Sequence, residues 1–336
     1  MNGQKIPLHG AGDPSIMPLT LNIACGDYDR TQALMEGVVK PEGIALRWLA
    51  MTHGEMRQRI LNESEVQVSE LSLAWHVIAR TLGKPLVAIP VFPARAFRHS
   101  YIFINAKSGI RNPRDLTGKK VGVGEFPQTA AVIARAVLQH EYGVELEKIK
   151  WFTWGKQSMD LELPKRYEIH PLPQGKSPDH LLIEGELDAL MLSSLFPSLA
   201  RGAPNVRRLF ENYQEVETAY FKKTGVFPIM HTVAMREDLW KEHPWVAPSL
   251  YKAFQNSKEI AYERIDDLSP YKLSMAWFRE PLARQLEALG EDPWCDGVEK
   301  NRHALETLIG YLHEQGMIKE RPRVEDLFAP NTLTLT

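Results

Sequence analysis

Apolar and polar positions fall into short blocks along this chain, and the period of the blocks changes in a regular order. Leu19 to Ala24 alternates with a period of two, as a half-buried strand does, and runs into the polar turn Gly26-Asp27-Tyr28-Asp29. A helix from Arg30 to about Glu36, a turn at Pro41-Glu42-Gly43 and a strand from Ile44 to Leu49 follow. His53 to Leu61 has helical spacing, with Met56 and Ile60 on the buried side. Val66 to Val68 reads as a short strand that stops at Ser69-Glu70, and Ser72 is placed to cap a helix reaching Leu82. Lys84 to Val91 and Tyr101 to Asn105 read as strands, and Pro113 to Lys119 as a short helical turn. Val121 to Val123 enters Gly124-Glu125-Phe126-Pro127 and a strong helix from Gln128 to Tyr142, closed by Gly143.

Further on, Glu145 to Trp151 reads as a strand, and 154–178 as a polar, Pro-containing connection. A helix at His180 to Glu184 and strands at Ala189 to Leu192 and Ile229 to Met235 follow, with a helix after Phe210. Amphipathic helices fill Pro244 to Gln315, and residues 1–17 read as a loose arm. Strands alternating with helices imply an α/β fold with a mostly parallel sheet. Ligands on such sheets bind beyond the carboxyl ends of the strands. That rule selects the loops 26–31, 69–72, 92–100 and 124–129. Two of these run into helices, whose N-termini favour anions, so a carboxylate ligand is expected.

Composition narrows the function. At 336 residues the chain has room for two domains. With 40 basic and 42 acidic residues the formal charge is −2, which disfavours a nucleic-acid partner. Cys25 and Cys295 lie far apart and supply neither a disulfide framework nor a zinc-finger spacing, as in a reducing compartment. Lys5 is followed by His9, Gly10, Gly12, Asp13 and Pro14, which interrupt the apolar run an export signal requires. The stretch Ala189 to Ala200 contains Pro197 and is too short to span a bilayer. A cytoplasmic location with no membrane partner is therefore expected, and a homo-oligomer is left open.

The selected loops also carry recognisable motifs. These are Gly26-Asp27-Tyr28-Asp29-Arg30-Thr31, Val68-Ser69-Glu70-Leu71-Ser72, and the run from Ile89 through Pro93-Ala94-Arg95-Ala96-Phe97-Arg98-His99 to Ser100. With them go Asp115-Leu116-Thr117-Gly118-Lys119-Lys120, Pro204-Asn205-Val206-Arg207-Arg208, Gly225-Val226-Phe227-Pro228 and Gly297-Val298-Glu299-Lys300-Asn301-Arg302. In these motifs, from about residue 20 to the C-terminus, the chain resembles the 4,5-dihydroxyphthalate decarboxylases. The resemblance implies a two-lobed, type II periplasmic-binding-protein-like fold, each lobe a mixed sheet flanked by helices and joined by hinge strands. The lobes would comprise 18–104 with 222–336, and 105–221. It also implies non-oxidative loss of CO2 from a dihydroxylated aromatic diacid to give protocatechuate. Thiamine-pyrimidine synthases share the fold, but two isolated cysteines cannot supply their cysteine-rich cluster. The resemblance further implies an arginine two residues before Pro197, where this chain has Leu195. A decarboxylase for a related hydroxylated aromatic acid, or a solute-binding protein for an aromatic carboxylate, remains the alternative.

Decarboxylating a hydroxyaromatic acid requires a base for a phenolic proton, an acid for the ring carbon, and cations for the retained carboxylate. His99, His231 and Glu70 are the expected catalytic groups; for Glu70 a capping role competes, and for His231 a place in the core. Arg95, Arg98, Arg30, Asp27, Ser69, Glu125 and Thr129 are the expected substrate-binding groups. Asp27 pairing with Arg30, and Thr129 acting as a simple cap, are the structural alternatives. His53, His76, His140, His180 and His243 read as structural. Glu70, His99 and His231 could converge on a divalent ion, but no ligand pair stands at metal spacing, so no metal or other cofactor is expected.

Overall fold

The computed structural model describes residues 17–336 except 64, 156, 158, 268 and 270–272, so the N-terminal arm up to residue 16 lies outside the described residues. The chain enters through β1 (Leu19–Ala24), α1 (Asp29–Met35), β2 (Ile44–Trp48), α2 (His53–Asn62), β3 (Val68–Ser72), α3 (Leu73–Thr81) and β4 (Leu86–Arg95). It then builds β5 (Ile102–Asn105), β6 (Lys120–Val123), α4 (Thr129–Tyr142), β7 (Lys150–Thr153), β8 (Glu168–Pro171) and α5 (Pro178–Glu184). The second sheet is completed with β9 (Ala189–Met191), α6 (Pro197–Ala200), β10 (Val206–Arg208) and α7 (Tyr213–Thr224). The return path is β11 (Ile229–Arg236), α8 (Glu237–Glu242), α9 (Val246–Asp266), α10 (Arg279–Leu289) and α11 (Val298–Glu314).

Two mixed sheets result, one of five strands in the order β2-β1-β3-β11-β4 and one of six in the order β10-β5-β9-β6-β7-β8. β1 pairs in parallel with β2 and β3, whereas β11 runs antiparallel between β3 and β4. The apolar run of β11 is explained by this central position, with neighbours on both sides. β4 carries Pro90 and Pro93, which cannot donate to a ladder and are tolerated because β4 lies at the sheet edge.

Several expectations are corrected. β3 begins at Val68 and runs through Ser69 and Glu70 to Ser72, because pairing with β11 at Ser69↔Ala234 and Glu70↔Val233 continues the ladder there. β4 likewise extends to Arg95, since Ile229 and His231 of β11 pair with Arg95 and Ala94. β5 joins the second sheet through β9 and β10, so the first lobe ends before Ile102 rather than at 104. The connection 154–178 contains β8, an edge strand added in parallel to β7. Of the expected strand Glu145 to Trp151 only Lys150 and Trp151 lie in a strand, the start of β7; Leu146–Lys148 is a 3-10 turn.

The core is continuous between the lobes. One cluster joins Trp75 and Ile78 of α3 to Val121 of β6, the apolar side of α4, Trp151, and Leu308 and Leu312 of α11. A second fills the space between the first sheet and α1 and α9, around Ile23, Val233 and Phe254. A third backs the second sheet around Phe103, Leu182 and Leu190. Gly143 ends α4 in the left-handed region at φ 67°, where a residue without Cβ is unstrained.

Candidate active site

Glu70 is a charged residue in the middle of a fully buried strand, which is tolerable only if its oxygens are satisfied. Its Oε2 accepts the Gly26 N–H at 2.7 Å and the Cys25 thiol at 3.4 Å, both from the turn after β1. Its Oε1 accepts the Tyr28 hydroxyl at 2.8 Å and a close hydrogen bond from His231 Nδ1. His53 Nε2 stands 3.5 Å from the same oxygen and 2.9 Å from the Tyr28 hydroxyl. The His53 and His231 rings lie 5.0 Å apart. One buried carboxylate thus gathers a phenol and two imidazoles.

Local structure explains this convergence. Side chains two residues apart on a strand share a face, so Glu70 and Ser72 point the same way. Ser72 pairs with His231 and Glu70 with Val233, which makes Glu70 and His231 diagonal neighbours on one face. The β4–β11 register shifts on both sides of His231, an irregularity of the kind that re-aims a side chain. His53 opens α2, whose start is secured by a capping box between Thr52 and Glu55. His53 joins this cluster although the sequence assigned it to the scaffold; the signal available was its place in the first turn of the helix that follows β2.

Electrostatics separates the roles. Burial pushes the Glu70 carboxyl up, but its contacts with His231 and His53 outweigh this and hold it well below the usual carboxylate range. The Glu70 hydrogen bond raises the His53 imidazole, against the opposing effect of its partial burial. Burial, reinforced by the neighbouring Glu70 charge, pushes both the Tyr28 phenol and the Cys25 thiol up, so each stays protonated. Cys25 is therefore a hydrogen-bond donor here rather than a thiolate nucleophile.

The expected substrate-binding residues are distributed unevenly around this cluster. The Arg30 guanidinium lies 4.4 Å over the Tyr28 ring and 5.2 Å from the Trp294 ring, and its Nε donates to the Pro93 carbonyl at 2.6 Å. It pairs with Asp29 at 3.0 Å rather than with Asp27, which is exposed. The Ser69 hydroxyl is buried and donates to the Glu70 carbonyl oxygen at 3.0 Å, facing away from the cluster on the alternating strand. Glu125 forms a close ion pair with Arg57 of α2 and accepts the Trp75 Nε1–H of α3 at 3.1 Å, tying the second lobe to the first. Thr129 Oγ1 accepts the Ala74 N–H at 2.9 Å and lies 2.7 Å from Ser72 Oγ. It therefore caps α3 from the other lobe, a role that the sequence placed on Ser72.

Three further expected site residues, His99, Arg95 and Arg98, also make their contacts away from the cluster. His99 is buried with neither ring nitrogen hydrogen-bonded, and it packs against Phe210 at 5.0 Å, Tyr220 at 5.4 Å and Tyr142 at 5.9 Å. Burial pushes its imidazole down to about 4, so it is a neutral packing group near neutral pH. Arg95 bonds Asn301 closely, together with the Cys295 carbonyl at 2.7 Å and the Phe227 carbonyl at 3.2 Å, and so fastens the C-terminal segment to β4. Arg98 donates to the Leu192 carbonyl at 3.2 Å beyond β9 and lies 4.4 Å over Tyr101. Leu195 is exposed between β9 and α6.

Comparisons with known proteins agree with this architecture. The chain is 34% identical over 322 residues to a 4,5-dihydroxyphthalate decarboxylase of Comamonas testosteroni, covering 94% of this chain and 98% of the relative. The chain belongs to the 4,5-dihydroxyphthalate decarboxylase family. A Pseudomonas putida protein of the same name is 30% identical over 220 residues, covering 63% of this chain and 85% of that one. Residues 33–163 match the family model described as NMT1/THI5 like. Among solved structures, the periplasmic aliphatic sulphonate binding protein SsuA of Escherichia coli superposes with TM-score 0.55 at 12% identity, covering 94% of this chain and 99% of that one. The desulfurization enzyme DSZB gives TM-score 0.54 at 15% identity, covering 94% and 97%. These two show the fold alone, the expected two-lobed periplasmic-binding-protein-like architecture. Among the described residues no helix is long and apolar enough to cross a membrane.

Proposed function

We propose that this family member is a carboxy-lyase that converts 4,5-dihydroxyphthalate to protocatechuate and CO2 without oxidation. The observation that carries this reading is the buried Glu70 carboxylate, whose Oε1 meets His231, His53 and Tyr28 at one point. The names of the two decarboxylase relatives support the same substrate.

The chemistry follows from what each group can do. In this substrate each carboxylate stands para to one hydroxyl, so electrons released from that oxygen reach the carbon bearing the carboxylate. His231, held by Glu70, accepts the phenolic proton; the oxygen becomes a carbonyl as electron density moves through the ring to that carbon. His53 delivers a proton there, forming the C–H bond. Its side chain is 53% exposed, so water can restore the proton. The C–C bond to the carboxylate then breaks, and its electron pair restores the aromatic ring and returns charge to the oxygen. His231 gives its proton back, and one proton has been consumed per CO2 formed.

Arg30, whose guanidinium lies over the Tyr28 ring, would hold the retained carboxylate. A cation on the departing carboxylate would instead stabilise the ground state and slow the reaction. We place the reaction in the cytoplasm, in keeping with two free thiols, Cys25 and Cys295. The test is CO2 and protocatechuate release from 4,5-dihydroxyphthalate by wild type and Glu70→Gln. Turnover that falls at least ~10²-fold in the variant supports the reading. Saturable binding with no CO2 from the wild type would make the protein a carrier of aromatic acids.

A further inference from the structure

We propose that His53, Glu70 and His231 form a binding site for one divalent transition-metal ion, with the two adjacent hydroxyls of the substrate completing its coordination. The proposal rests on the decarboxylase reading above and reassigns two of its residues, because an imidazole nitrogen that ligates an ion carries no proton: His53 and His231 would hold the ion rather than shuttle protons. It departs from the expectation of a metal-free protein. It also replaces the grouping of Glu70 and His231 with His99, whose ring is enclosed by Tyr142, Phe210 and Tyr220.

The geometry supplies the argument. One ligand atom from each of the three residues lies within 4.8 Å of the others. They come from α2, β3 and β11, elements of a single lobe, so the triad does not depend on how the lobes close. The carboxylate is held by an outer shell: Oε2 is anchored by the Gly26 N–H and the Cys25 thiol, which leaves Oε1 turned toward the imidazoles. Such partners fix ligand orientation at metal centres. Three protein ligands with open positions are typical of catalytic sites, whereas structural zinc sites close all four. Two imidazoles with one carboxylate suit manganese, iron, cobalt or zinc better than magnesium or calcium.

The substrate class fits the open side. A vicinal diol is a bidentate oxygen ligand, and a facial triad leaves three octahedral positions, two of them sufficient for the chelate. The half-exposed His53 marks the side from which it enters. The Tyr28 hydroxyl, 2.9 Å from His53 Nε2 and 2.8 Å from Glu70 Oε1, stands where it can donate to a coordinated phenolic oxygen.

The experiment uses the full chain stripped with EDTA, with removal verified by elemental analysis. Mn2+, Zn2+ or Co2+ is then titrated calorimetrically without substrate, and protocatechuate is added to the Co2+ form while its visible absorption is followed. One ion per chain is expected, with a change in the Co2+ bands on adding the diol. His53→Ala, at a half-exposed position that the fold tolerates, and Glu70→Gln should each weaken binding by roughly 100-fold or more. Absence of stoichiometric binding, or unchanged affinity in a natively folded His53→Ala, would overturn the site. Full turnover by the stripped wild type would also overturn it while leaving the decarboxylase reading intact. Stoichiometric binding without any CO2 release would keep the site and sink the decarboxylase reading.

Discussion

At the scale of the residue, a carboxylate can sit inside a strand only where its charge is met, and Glu70 is met on both oxygens. The role of His231 in proton transfer leads to a direct expectation. His231→Asn should lower kcat by roughly 10²-fold or more while leaving the folded secondary structure intact, checked by CO2 release and circular dichroism. Arg30→Ala should raise KM more than it lowers kcat, because it removes a contact made in both the ground and transition states. His99 supplies the contrast. His99→Phe should retain turnover within about threefold of wild type, since the ring packs against aromatic edges and donates to nothing; a loss of two decades would return His99 to the mechanism.

At the scale of the element, the lobes are joined by interactions that a single helix or strand does not contain. Thr129 sits at the start of α4 yet accepts the Ala74 N–H of α3, so Thr129→Val should cost about 1 kcal/mol, as the loss of a cap does, measured by denaturant unfolding. The buried Arg57–Glu125 pair crosses from α2 to the loop before α4. Burial lowers the Arg57 guanidinium, which Glu125 counteracts. Removing one partner withdraws this compensation from a buried charge, so Glu125→Ala should destabilise by about 3–5 kcal/mol, whereas the double variant with Arg57→Met should recover part of that loss. A double-variant loss equal to the sum of the two single-variant losses would show that the pair is not coupled.

At the scale of the whole molecule, two histidines make stability depend on acid. Burial pushes His76 and His99 each down to about 4 from an ordinary value of 6.5. Unfolding exposes them to water, where they bind protons more readily, so the unfolded state takes up more protons between those two pH values. Stability from these groups is therefore complete above about pH 6.5 and is lost as pH falls toward 4, by up to about 3 kcal/mol each. Thermal unfolding of wild type and His99→Phe at pH 7 and pH 5 checks this: the variant should lose less on acidification. The shared core explains why such losses should be felt by both lobes together, since α3, α4 and α11 pack into one cluster.

Local periodicity was enough to mark β1, α4 and β11, and with them the α/β class, because each side-chain pattern is set by its own element. The strand-end rule, which depends only on fold class, pointed to the Tyr28, Arg30 and Glu70 region. What local pattern could not decide was partnership. Glu70 reads as a helix cap until β11 is known to pair beside it, His53 reads as a helix residue until Glu70 is placed against it, and Glu125 finds Arg57 across 68 positions of sequence. His99 stands in the same motif as Arg98 and shares its apparent promise, yet only packing shows that its ring is walled in by Tyr142, Phe210 and Tyr220. Elements follow from short-range backbone and burial preferences written in sequence order, whereas the protonation and reach of a side chain are set by neighbours that folding brings from elsewhere in the chain.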